Sequence, residues 1–561
     1  MTSFPRLLAF SLTSVFIAFT PSSLAQPTAS VSASSVHENQ PIVNAPAGKI
    51  EGRVEGQLNT FKGIPYALPP VGSLRWRPPK PMPRWQGVKK AAAFGPVCFQ
   101  PRSATESIYS WTPVPMSEDC LTLNIWAPAK VHNAPVLFWI HGGALTTGSG
   151  SDPLYDGTRL AERGVVFVSV NFRLGVLGWL AHPELSKESS LGISGNYSLL
   201  DLIEALRWVH RNIRAFGGDP SNVTIAGESS GGLSVMYLMA SPPARGLFAK
   251  AIAESAYMIS TPELKSSSFG SPSAEESGLR LAAALHAPNI AAMRAMDAAT
   301  LSTAAPAAGY VPWGTIDGHV LPKQLVDVFD KGEQAPVPLL AGFNSGEIRS
   351  LRMLAARSPA NAAAYEAIIR ERYGDLADQF LRLYPSTSME ESILATTRDA
   401  LYGWTAERLV RKQAALGLPS YLYFFDHGYP ASDDRGLHAF HASELPYVFG
   451  TFNSTPRMWP KVPSTPEERS LSDAMIGYWT SFARNGQPQA ANEPDWPTFE
   501  PMGSYMDFAK TPQPSNHLLP GMYEFNEEVV CLRRKAGNIA WNWNVGLFSP
   551  KNPAPQAACK P

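Results

Sequence analysis

Gly227-Glu228-Ser229-Ser230-Gly231 sets a hydroxyl at the centre of a short segment bounded by glycines. A serine attacks a carbonyl carbon when a base stands ready to take its proton and hydrogen-bond donors await the oxyanion that forms. The flanking residues suit that chemistry. Val223-Thr224-Ile225-Ala226 reads as a short buried strand, and Gly232 to Ala240 as a helix that stops before Pro242-Pro243. A serine on a tight strand-to-helix turn is held in strained geometry with its oxygen above the sheet, and the two glycines leave room for the turn. The helix behind it points its positive amino end at developing negative charge. Ser229 is therefore the candidate nucleophile, and Ser230 would offer its backbone amide to the oxyanion. A plain hydroxyl-capped turn has the same five letters; the strand before and the helix after favour the nucleophile.

A second feature lies upstream. His141-Gly142-Gly143-Ala144 follows the apolar run Val136 to Ile140, so a glycine-rich loop with free amides leaves a buried strand end. In that position His141 reads as structural rather than as a base. A base and the carboxylate that orients it must then lie downstream of Ser229. His427, His438, His441 and His517 are the histidines available near the end of the chain, and among the acids Glu347, Asp317, Asp426 and Asp433 compete. His438, His441 and Glu444 are spaced like metal ligands on a helix, but no HExxH pattern or cysteine cluster accompanies them, so no metal is expected.

The elements that would position these residues follow from apolar runs. Val136 to Ile140, Val165 to Val170, Val223 to Ala226, Lys250 to Ala253, Val337 to Ala341 and Tyr421 to Phe425 read as buried strands alternating with helical patterns, which predicts a largely parallel sheet. The clearest helix spans Leu199 to Phe216 and is stopped by Gly217-Gly218. No internal repeat or linker divides the chain, so one catalytic domain over 41–561, with a C-terminal extension, is expected. A 44% apolar, 17% charged composition supplies a large core. Lysine plus arginine balance aspartate plus glutamate at 47 each, which leaves no basic field for nucleic acid.

Arg6, the apolar run Leu7 to Phe19 and the small residues of Ser23-Leu24-Ala25 read as a signal peptide over 1–25, followed by a flexible Ser/Ala/Pro-rich leader over 26–40. The run is shorter than the roughly 20 residues of a spanning helix, so export to a secreted or periplasmic location is expected, with no stable membrane insertion. An oxidising compartment favours disulfides among the four cysteines. Cys98 with Cys120 and Cys531 with Cys559 close local loops; spacing leaves the two other connectivities open.

Phe61-Lys62-Gly63-Ile64-Pro65-Tyr66-Ala67, Leu74-Arg75-Trp76, Ser117-Glu118-Asp119-Cys120-Leu121, the His141 loop, Asn171-Phe172-Arg173-Leu174-Gly175, Phe216-Gly217-Gly218-Asp219-Pro220 and the Gly227 motif form an ordered series. Over most of the chain that series resembles the type-B carboxylesterase and cholinesterase family. The resemblance implies an α/β-hydrolase fold: a central, mostly parallel sheet flanked by helices, large loop and helical insertions, a deep pocket and no cofactor. It also implies a triad in the order Ser, Glu, His. Gly342 to Glu347 resembles the loop that carries the family's glutamate, and His441 to Tyr447 the segment with its histidine, which assigns Glu347 as acid and His441 as base. By the same resemblance Gly143, Ala144 and Ser230 supply the oxyanion amides, and Glu228 and Ser255 form a buried polar pair behind the triad. Cys98 and Cys120 match the family's first disulfide loop; Cys531 and Cys559 gain no such support.

The expected function is a serine carboxylic-ester hydrolase acting through an acyl-enzyme on a small to medium, apolar or aromatic ester. The sequence sets no protein partner and no oligomeric state. Amidases, lipases and non-catalytic binding or adhesion proteins share such a scaffold, the last where the nucleophile is lost. Leu145, Ser198 and Leu202 depart from residues common in the family and bear on pocket shape. Trp111 lies one residue from the place of a choline-stacking tryptophan, so choline esters are not favoured; Phe99, Tyr109 and Trp111 could instead line an apolar entrance.

Overall fold

Strands covered on both faces have no polar side, and the apolar runs of this chain behave accordingly. The computed structural model describes residues 40–101, 106–111 and 114–560; the expected signal peptide and the leader up to residue 39 lie outside the described residues. The main sheet is built from β1 (Arg53–Glu55), β2 (Leu58–Pro65), β3 (Thr122–Pro128), β4 (Ala134–Ile140), β5 (Val166–Val170), β6 (Gly218–Glu228), β7 (Lys250–Glu254), β8 (Leu339–Asn344), β9 (Ser420–Phe425), β10 (Ser504–Phe508) and β11 (Pro512–Asn516). Their spatial order is β1-β2-β3-β5-β4-β6-β7-β8-β9-β10-β11.

The six strands expected from sequence, β4 to β9, are contiguous in this sheet and all mutually parallel. β10 extends the parallel block, while β1, β2, β3 and β11 pair antiparallel at the two flanks, which makes the sheet mixed rather than uniformly parallel. In β4, Val136, Phe138 and Ile140 join one apolar cluster and Leu137 and Trp139 the other, so the alternation of a strand feeds cores on both sides of the sheet.

Helix α1 (Tyr197–Asn212) follows Asn196 and continues into a 3-10 turn, Ile213–Phe216. The helical span read from sequence thus ends in a tighter turn, which Gly217 closes at φ 85°. Helix α2 (Ser230–Ala240) begins directly after Ser229, two residues earlier than the Gly232 start read from sequence. Helix α3 (Pro466–Asn485) is capped by the Thr465 side chain and packs Trp479 and Phe482 on the sheet. The described cysteines pair as Cys98–Cys120 and Cys531–Cys559. Among the described residues no helix is long and apolar enough to cross a membrane.

The order of the sheet locates the site. β4 has β5 on one side and β6 on the other. The chain therefore leaves β4 in one direction and returns past it in the other, and a crevice opens beyond the carboxyl ends of the strands at such a switch point. The His141 loop leaves β4 there, and Ser229 follows β6.

Candidate active site

Ser229 sits at φ 58°, ψ −123°, a conformation costly for any residue with a side chain. Packing imposes it. The Ser229 amide donates to the Glu254 carbonyl at the end of β7 (2.9 Å). A Cβ on Gly231 would lie 2.1 Å from the Ile140 carbonyl oxygen, and one on Gly227 would lie 2.6 Å from the Gly231 carbonyl carbon. Both flanking residues must be glycine for strand, turn and helix to approach this closely. The result is a hydroxyl at the amino end of α2, almost buried at 9% exposure.

Two loops from the far half of the chain converge on it. β8 ends at Asn344, and Glu347 opens the short helix Glu347–Ser350. His441 lies on the loop between β9 and the helix Leu445–Phe449. The Gly346 amide donates to the Ala439 carbonyl (2.8 Å), and the Asn344 side chain donates to the Phe440 carbonyl (2.9 Å), so the loops are tied to each other. The His441 ring spans the gap: Nδ1 lies 2.5 Å from Glu347 Oε2 and Nε2 lies 2.9 Å from Ser229 Oγ. The other Glu347 oxygen accepts the Asn344 amide at 2.9 Å. A carboxylate on Nδ1 fixes the proton there and leaves Nε2 free to accept the serine proton.

Electrostatics around the imidazole are dominated by acids. Burial by itself lowers the His441 pKa, but the Glu228 and Glu347 carboxylates outweigh it and push the pKa up to about 9. Glu228 Oε1 stands 3.1 Å from Nε2, out of line for a hydrogen bond. Burial raises Glu228 itself, partly opposed by His441. Two more carboxyls lie buried behind them. Glu254 accepts from Trp479 Nε1 of α3 (2.8 Å), and burial pushes it up to about 8, so it is held protonated at neutral pH. Glu444 accepts from the Asn344 side chain, and burial with the neighbouring acids raises it well above the carboxylate range. Neither environment is visible in the sequence, although a carboxylate closing the apolar run Lys250 to Ala253 was a signal for Glu254.

The remaining expected residues fall as follows. Gly143 (φ 109°) and Ala144 (φ 55°) turn the loop after β4 sharply, and the Leu145 amide donates to Ser230 Oγ at 3.1 Å. Among the described residues no protein acceptor takes the Gly143 or Ala144 amide. A Cβ on Gly142 would meet Glu228 Oε2 at 2.8 Å, which places this loop directly over the Ser229 turn. His141 stacks on Phe172 (4.4 Å) and is held neutral, burial lowering it to about 4, in keeping with a structural role. Ser255 is fully buried, its hydroxyl without a hydrogen-bond partner among the described residues. Of the aromatic residues expected at an entrance, Tyr109 reaches His441 edge-on at 6.4 Å, whereas Phe99 packs in a separate cluster with Trp76 and Leu177. Tyr402 lies against the same imidazole at 5.4 Å and contacts Tyr257. It comes from a π-turn, Asp399–Gly403, that periodicity could not reveal.

A nucleophile elbow at the switch point of an α/β sheet, with an imidazole between serine and carboxylate, defines the serine-hydrolase class of α/β-hydrolase folds. Comparison with known proteins gives the family. The profile of the carboxylesterase family matches residues 39–526, and the chain belongs to that family. It is 38% identical over 82% of its length to the fumonisin B1 esterase of Sphingopyxis macrogoltabida, covering 85% of that protein. It is 35% identical over 82% of its length to the para-nitrobenzyl esterase of Bacillus subtilis, covering 92% of it. A solved PNB esterase structure superposes with a TM-score of 0.76 at 33% identity, covering 87% of this chain and 99% of the other. The protein is a carboxylic ester hydrolase with the α/β-hydrolase fold.

Proposed function

We propose that the chain hydrolyses carboxylic esters with Ser229 as nucleophile, His441 as base and Glu347 as the acid that orients it. The observation that carries this reading is the single imidazole held 2.9 Å from Ser229 Oγ and 2.5 Å from Glu347. His441 takes the Ser229 proton as Oγ bonds to the ester carbonyl carbon. The oxyanion is received by the amides of Gly143, Ala144 and Ser230 at the amino end of α2. Collapse of the tetrahedral adduct breaks the bond to the alcohol, which leaves with the proton from Nε2. Water then gives its proton to His441, attacks the acyl-enzyme, and releases acid and free serine. Glu228 stabilises the imidazolium that forms in each half. Ser255, adjoining Glu254, completes the buried polar surroundings.

The substrate is an apolar or aromatic ester of small to medium size, supported by the rings of Tyr109 and Tyr402 against His441 and by Leu145 beside the oxyanion loop. Two disulfides and the signal-like first residues support export to a secreted or periplasmic location. Residues 41–561 act as one catalytic domain with a C-terminal extension stapled by Cys531–Cys559. The test is hydrolysis of p-nitrophenyl esters of graded acyl length by wild type, Ser229→Ala and Glu347→Gln. Activity should fall about 10⁴-fold in either variant. Turnover by Ser229→Ala near the wild-type rate would end the proposal.

A further inference from the structure

Three chain segments meet at one phenol. Tyr109 belongs to the loop closed by Cys98–Cys120, and its hydroxyl lies 3.0 Å from the His441 carbonyl oxygen and 2.7 Å from Ser350 Oγ. Ser350 ends the short helix that Glu347 begins. The phenol donates toward both the Ser350 hydroxyl oxygen and the His441 carbonyl, and the Ser350 hydroxyl in turn donates to the Glu347 carbonyl at 3.5 Å. The ring is wedged edge-on between the His441 imidazole and the Trp459 indole, 6.0 Å away. Burial keeps the phenol protonated, and hence a donor, across the working pH range. Among the described residues no backbone amide reaches the His441 carbonyl oxygen, so Tyr109 is the group that satisfies it.

We propose that Tyr109 is a positioning residue that locks the loop of the base to the loop of the acid, through the His441 carbonyl on one side and Ser350 on the other. The proposal rests on reading His441 as base and Glu347 as its partner. The His441 backbone is otherwise held through its neighbours, with Ala442 in the left-handed region at φ 68°, and a small displacement of the imidazole lengthens both of its catalytic bonds.

The test is Tyr109→Phe, which keeps the ring and removes the hydroxyl. With p-nitrophenyl butyrate, kcat should fall about tenfold, the change set by about 1.4 kcal/mol, with KM within about twofold. The rate of phosphonylation of Ser229 should fall by the same factor. Ser350→Ala reaches the bridge without touching the aromatic packing and should lower kcat about threefold. Because both changes break one bridge, the double variant should be no slower than Tyr109→Phe alone. Wild-type kcat in Tyr109→Phe, a raised KM with unchanged kcat, or fully multiplicative losses would each overturn the proposal. Ser229→Ala in the same assay separates the layers. An inert Ser229→Ala beside a wild-type-like Tyr109→Phe removes only the positioning role, whereas an active Ser229→Ala removes the nucleophile itself.

Discussion

Glu228→Gln removes a charge 3.1 Å from His441 Nε2 and leaves a side chain of the same shape. At an effective dielectric near 20 a full charge at that distance interacts with the imidazolium by about 5 kcal/mol, an upper bound. Glu228 is itself pushed up to about 7, so it carries that charge fully only in the upper part of the pH range. An opposite charge at this separation moves a pKa by about one to three units. With His441 as the proposed base, its active form is the deprotonated one, so raising its pKa shifts the onset of activity to higher pH. Wild-type kcat/KM should accordingly rise through an inflection above the ordinary 6.5, toward about 9. Glu228→Gln should move that inflection down by about one to three units, while the plateau falls because the imidazolium of the transition state loses a partner. The assay is kcat/KM for a p-nitrophenyl ester from pH 5 to 10, corrected for spontaneous hydrolysis. An inflection that stays in place or moves upward in Glu228→Gln would refute the electrostatic reasoning.

Gly231→Ala puts a methyl 2.1 Å from the Ile140 carbonyl oxygen; it should lower the denaturant midpoint by the equivalent of about 1–3 kcal/mol and abolish turnover, and an active, equally stable variant would contradict the packing account. Glu254 holds its proton in the fold to about pH 8 but only to about 4.5 when unfolded, so its contribution is present below 4.5 and lost as pH rises through 8. Glu254→Gln cannot ionise and should lose less stability than wild type over that interval, as followed by thermal unfolding at a series of pH values. Replacing Cys98 and Cys120 by alanine frees a loop with a sequence separation of 22 residues and should cost about 2–4 kcal/mol, read from urea unfolding.

The parallel half of the fold was legible because β4, β5, β7, β8, β9 and the part of β6 from Val223 on are buried on both faces and so read as mainly apolar runs; the start of β6, Gly218 to Asn222, is polar and partly exposed and did not. The flanking strands were not. β2 carries Gly63 and Pro65 and shifts register between Phe61 and Ile64, β3 holds the buried polar Asn124, and β11 is interrupted by Pro512 and Pro514. Asn124 is explained only by the structure, where it accepts the Gly63 amide (2.9 Å) beside that irregularity. Within the site, Ser229 announces itself because the turn, strand and helix that shape it are local. His441 lies 94 residues from Glu347 and 212 from Ser229, a separation that only the family resemblance, not periodicity, could bridge. The acid cluster of Glu254 and Glu444, and Tyr402 on its π-turn, depend on long-range packing that no local pattern encodes.

In the proposed mechanism the Ser229 hydroxyl, and no other, is activated for attack. Incubation with a p-nitrophenyl phosphonate, followed by peptide mass mapping, tests it directly. One phosphonyl group per chain is expected on the peptide containing Ser229, with loss of esterase activity in step with labelling and no label in Ser229→Ala. Stoichiometric label on another residue, or inactivation that persists in Ser229→Ala, would contradict it.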